Sequence, residues 1–132
     1  MTNSIVDKNL RSGGGEDDCY DESNTIPNNS INSSYTLWGV APTNCGNAAS
    51  NIIGSAGPLL PLGNYGGLTQ TMPPRSYSRV VNAGQAGACV DTQQIALRTD
   101  QRGDGFPRVE AQRCDLGAVE TDVFFANGFD AY

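Results

Sequence analysis

Apolar positions in this chain fall in runs of a few residues, separated by clusters of Gly, Asn, Ser, Asp and Pro. Residues 3–6 (NSIV) are β-prone and are stopped at once by Asp7-Lys8-Asn9. Residues 35–38 (YTLW), the pairs Ile52-Ile53 and Leu59-Leu60, residues 77–81 (YSRVV) and residues 95–97 (IAL) complete the strand candidates. Aromatic and β-branched side chains favour strands at these positions, but strands this short need neighbours to be stable. Pro27 excludes a central strand around it. No 3.6-residue apolar period lasts for ten residues, so no amphipathic helix is expected. Gly63-Asn64, Gly66-Gly67 and Pro73-Pro74 supply turn chemistry. The recurrent unit of run, Asn/Gly turn and run is a loose signature of a β-solenoid, in which each coil buries its inward side chains by stacking on the next.

Composition sharpens this picture. The 132 residues leave room for one domain without a second core. Only 38% are hydrophobic, and 16 glycines and 7 prolines favour turn-dense β structure over packed helices. The net charge is −6, and the arginines are scattered among more numerous acids. Binding nucleic acid needs cations gathered on one face, so that partner class is excluded. Histidine is absent. This removes Ser-His-Asp and Cys-His nucleophile pairs and histidine-based zinc sites. No apolar run approaches the ~18 residues of a membrane span.

Cys19, Cys45, Cys89 and Cys114 are even in number and widely spaced, without a C-x-x-C pair. In a Gly/Asn/Ser-rich, Lys-poor chain this points to disulfides in an oxidising compartment, with three connectivities open. The start, MTNSIVDKNLRSGGG, carries no signal-peptide core. Export without a leader is reconciled if the chain is the C-terminal piece of a longer secreted protein, which is the expectation here. Glu16, Asp17, Asp18, Asp21 and Glu22 around Cys19 offer hard oxygen ligands for calcium, although their spacing is not that of an EF-hand. A solvated acidic loop is the plainer reading. Asn28 and Asn32 lie in N-x-S sequons.

The densest motif runs from residue 99 to 120, TDQRGDGFPRVEAQRCDLGAVE. It follows Gly57-Pro58-Leu59-Leu60, then Asn64-Tyr65-Gly66-Gly67-Leu68-Thr69, and then Asn82-Ala83-Gly84. With these elements in this order, residues 51–120 resemble the C-terminal region of bacterial right-handed parallel β-helix surface proteins, the choice-of-anchor Q group. Asp104-Gly105 is an insertion relative to that pattern. Asn82 stands where an acid is usual, and Met72 stands where a histidine is common.

The resemblance implies an all-β fold: the terminal coils of a right-handed parallel β-helix followed by a loop-rich cap. Residues 1–50 would be the last coil or coils with the acidic loop, 51–120 the capping region and 121–132 a tail whose aromatics dock or sort. The implied disulfides are Cys19–Cys45 and Cys89–Cys114. The motif residues Asp100, Gln101, Arg102, Gly103, Pro107, Arg108, Asp115, Gly117 and Glu120 would be structural. Short acids accept backbone N–H groups at turns, and Arg102 or Arg108 would pair with Asp100, Asp115 or Glu120. Leu116, Ala118 and Val119 would supply the apolar side.

The implied function is non-catalytic: structural capping and display in a secreted or cell-surface, adhesin-like protein. Its partners would be preceding coils and a surface glycan or protein ligand, with no cofactor. The alternative is the end of a carbohydrate-active β-helix lyase or hydrolase whose active site lies upstream. Arg102-Gly103-Asp104 also spells an integrin-binding tripeptide, although its Arg and Gly already belong to the motif.

Overall fold

The computed structural model describes residues 1–19, 31–41, 48–57, 59–87, 89–108 and 112–121. Its elements are β1 (Thr2–Val6), β2 (Leu10–Arg11), β3 (Gly15–Glu16), β4 (Ser34–Trp38) and β5 (Ile52–Ile53), and no helix occurs among the described residues. The fold is therefore β-rich. The chain divides into two compact units, Met1–Ala56 and Gly57–Tyr132.

The first unit is built on a parallel ladder in the order β1-β4-β5. Thr2, Ser4, Ile5 and Val6 align with Ser34, Thr36, Leu37 and Trp38, and the last two align in turn with Ile52 and Ile53. Backbone bonds continue the ladder past the strand ends, from Ser34 N to Met1 O, Gly39 N to Val6 O and Gly54 N to Trp38 O. The runs NSIV, YTLW and Ile52-Ile53 are thus strands. β2 and β3 form a small antiparallel hairpin in the acidic loop.

Consecutive residues of a strand face opposite sides, so the burial of Thr36, Leu37 and Trp38 to within 1% means that both faces of β4 are covered. Asn3 and Tyr35 stand at the same level in their strands, and both adopt left-handed backbone, with φ of 51° and 48°. Two successive strands therefore bend at the same place. Around that bend, Ser50 Oγ and Asn51 Oδ1 accept the N–H groups of Tyr35 and Thr36, and Asn51 Nδ2 donates to Ser33.

Carboxylates close the loops of this unit. Asp18 accepts from Asn9 N, Asn9 Nδ2 and Val40 N, while Asp7 Oδ2 accepts from Ala56 N and Ser55 Oγ. Gly39 lies beneath both, and a Cβ there would collide with the Asp7 and Asp18 carboxylates.

The second unit has no strand among its described residues. It consists of turns joined by isolated antiparallel bridges: Leu59 with Pro74, Gly63 with Thr71, Ala86 with Arg113, Val90 with Ala96, and Thr99 with Pro107. Residues 77–81, expected as a strand, are instead successive turns, with bonds from Ser78 N to Arg75 O, Val81 N to Ser78 O and Ala83 N to Val80 O. Only Val80 of the run is fully buried, and its carbonyl accepts from Leu116 N; among the described residues no strand lies alongside to capture the rest. Residues 95–97 contribute a single bridge beside the turn in which Asp91 Oδ1 accepts from Gln93 N and Ile95 N.

Candidate functional site

The apolar core of the second unit is small: Val80, Cys89, Cys114, Leu116 and Val119 are buried, together with five charged residues of the 99–120 motif. Ala118, expected to face inward with Leu116 and Val119, is exposed. Its carbonyl is instead used, accepting from Gln101 N at 2.8 Å.

Asp100, Arg102, Arg108, Asp115 and Glu120 are all at most 6% exposed. Burying charge is costly unless each group is paired and hydrogen-bonded, and each of these five has hydrogen-bond partners within the motif or beside it. The 100–106 turn closes through Gly103 N to Asp100 O, Phe106 N to Gly103 O and Asp100 N to Phe106 O. This brings Arg102 back over Asp100. Arg102 donates from Nη2 and Nε to Asp100 Oδ2 at 2.7 and 3.0 Å, and its own N–H bonds Asp100 Oδ1 at 2.7 Å. Its guanidinium also lies 4.0 Å from the centre of the Phe106 ring, a cation–π contact.

From this turn the network crosses to residues 114–121. Glu120 N donates to Asp100 Oδ2 at 2.9 Å, and Arg102 Nη2 donates to Glu120 O at 3.0 Å. Arg108 Nη2 donates to the carbonyls of Gly117 at 2.7 Å and Asp115 at 3.4 Å. Its Nη1 lies 2.8 Å from Glu120 Oε1 but out of line for a hydrogen bond, so this contact is an ion pair by proximity alone. Asp115 has no arginine of its own. Its carboxylate is held by Asn82 N, Thr121 N and the Thr121 hydroxyl at 2.7, 2.7 and 2.6 Å. The Asp115 N–H in turn donates to both oxygens of Glu120. Burial pushes the Glu120 carboxyl up to about 7; the charges of Asp115 and Asp100 add to the rise, while the Asp115 N–H and Arg108 hold it back.

The Cys89–Cys114 disulfide, with a Cα–Cα distance of 6.2 Å, anchors the residue just before Asp115. This is the bridge that the resemblance implies. Cys19 is also disulfide-bonded, and Cys45 lies outside the described residues.

The remaining motif residues complete the turn. Gln101 donates to Thr69 Oγ1 at 3.1 Å, Gly103 and Gly117 have φ of 89° and 95°, and Pro107 is bridged to Thr99. Three participants have no flag in the motif itself. Thr121 and Asn82 hold Asp115, and Gly67, at φ +76°, packs on the Arg102 backbone where a Cβ would come within 2.6 Å of Arg102 Cα. The Gly66-Gly67 doublet was the available signal: the first glycine passes Phe106 as closely as the second passes Arg102.

The other candidates resolve differently. Arg102 of the Arg-Gly-Asp tripeptide is buried and committed to Asp100, so it is not presented as a ligand. Of the calcium candidates, Asp18 serves backbone and Asn9 donors, Glu16 is exposed, and Asp21 and Glu22 lie outside the described residues. Among the described residues no cluster of three acidic, His or Cys side chains could hold a metal ion. Asn32 is exposed, while Asn28 and the aromatic tail, residues 122–132, are outside the described residues. No helix among the described residues is long and apolar enough to cross a membrane.

The chain matches no family model, no curated protein and no solved structure.

Proposed function

We propose that this chain is the non-catalytic, capping and display end of an exported right-handed parallel β-helix protein of the choice-of-anchor Q type, adhesin-like in role. The observation that carries this reading is the parallel, in-register β1-β4-β5 ladder with its bend repeated at Asn3 and Tyr35. Repetition of one bend at one level is what stacked coils require. Among the described residues β1 pairs with β4, and its Ile5 and Val6 are half-buried where the aligned Leu37 and Trp38 are fully buried. Thr2–Val6 carries neither the charge nor the proline that guards a terminal edge strand. A preceding coil stacked on β1 would extend the ladder and complete the burial of Ile5 and Val6.

The commitment of Asp100 and Asp115 to buried structural bonds favours the non-catalytic reading over acid/base chemistry. The Cys89–Cys114 bridge favours an oxidising compartment. The test is an immunoblot of cytoplasm, envelope and medium with an antibody to residues 99–120. A band far above 13.9 kDa in the medium or envelope is the expected result. A single band of that small mass, confined to the cytoplasm and reduced, would overturn the proposal.

A further inference from the structure

The buried network holds three carboxylates, Asp100, Asp115 and Glu120, against two guanidiniums, Arg102 and Arg108. If all are ionised, one negative charge is in excess in a water-poor interior. The partners show where the excess resides. Asp100 is claimed by Arg102, and Asp115 by three aligned donors. Glu120 has the Asp115 N–H, shared between its two oxygens, and an Arg108 Nη1 that is near but misaligned. It is the least well solvated of the three. It also sits where the motif's two halves meet: its N–H and carbonyl bond Asp100 and Arg102, and its carboxylate bonds Asp115.

We propose that Glu120 is the proton-operated latch of this unit: one proton taken up on its carboxyl tightens residues 114–121 against the 80–84 and 98–108 turns, and its release loosens them. The groups facing that carboxyl are Asp115, Asp100 and Arg108; Arg102 is paired with Asp100 and bonds the Glu120 carbonyl. The direction of its titration agrees. With its folded value raised from 4.5 to about 7, the folded state holds a proton that the unfolded chain has lost across that interval. The stabilising effect is complete below about 4.5 and is lost as the pH rises through about 7. A salt-bridged acid of depressed pKa would give the opposite slope. The device would suit a protein that meets both mildly acidic and neutral surroundings.

The experiment uses the full chain with its disulfides intact. Thermal melts are recorded from pH 5 to 8, with carbon-13 NMR of the glutamate carboxyls over the same range. We expect the melting temperature to fall by roughly 5 °C on raising the pH, on the scale of small-domain melting. Glu120→Gln, which resembles the protonated form, should lack that slope. One glutamate carboxyl should titrate near neutrality and be missing in the variant. A slope kept by Glu120→Gln, or glutamate carboxyls that all titrate near 4.5, would overturn the latch. The NMR titration of the unaltered chain decides the matter even if the variant fails to fold.

Discussion

The two units of this molecule solve the same problem by different means. Met1–Ala56 is organised by a backbone ladder, with Leu37 and Trp38 buried on the central strand. Among its described residues Gly57–Tyr132 has isolated bridges in place of strands, a handful of buried apolar groups and five buried charges. A ladder pairs N–H and C=O groups in bulk, so its side chains are free to be apolar. A structure made of turns leaves backbone groups pointing in irregular directions, and side chains must meet them one at a time. Asp100, Asp115, Arg102 and Arg108 do this, each reaching backbone groups as well as, in some cases, an opposite charge. The lesson is that a charged motif can be the core of a unit rather than its reactive surface.

This contrast can be broken at either end. The largest effect is expected from Arg102→Met, which fills similar space but strands Asp100 as an uncompensated buried charge. Urea titration should show a loss of about 3–5 kcal/mol. A loss below ~1 kcal/mol would mean that the network is decorative. Next is removal of the bridge that positions Asp115. Replacing Cys89 and Cys114 with alanine should cost about 3.5 kcal/mol, by the chain-entropy relation for a 25-residue separation. Equal midpoints for the two proteins would remove the disulfide from the account.

Leu37→Ala tests the apolar side of the comparison and should cost roughly 3 kcal/mol as a core truncation, seen as faster exchange of the β4 amides. If β4 protection were unchanged, the ladder would not depend on its packing. The smallest effect is expected from Gly67→Ala, at about 1–2 kcal/mol for a left-handed position crowded by the Arg102 backbone. A neutral result there would show that the Gly66-Gly67 loop is free to move away.

Much of the first unit was legible in the sequence. NSIV, YTLW and Ile52-Ile53 are short β-prone runs, and each forms or enters a strand. The 77–81 run has the same composition yet forms turns. Strand formation depends on a neighbour to pair with, which local composition does not record. In the motif, the pairing of arginines with acids was legible from residue types, because charges in a Gly-rich stretch with few apolar neighbours must find one another. Which arginine meets which acid was not. That follows from the 100–106 turn, which folds Arg102 onto Asp100 and leaves Arg108 to reach Gly117 and Glu120. Ala118 departs from its expected apolar role because the backbone turns there, and its carbonyl rather than its methyl group meets the neighbouring segment.

The central claim is that buried carboxylates, acting on backbone N–H groups, hold the second unit together. Amide hydrogen exchange on the full chain tests it most directly. The N–H groups of Asn82, Arg102, Asp115, Glu120 and Thr121 each donate to a buried carboxylate. They should be the slowest-exchanging amides of that unit, far slower than the Gln94 N–H in an exposed turn. Exchange of these five at the rate of Gln94 would contradict the claim.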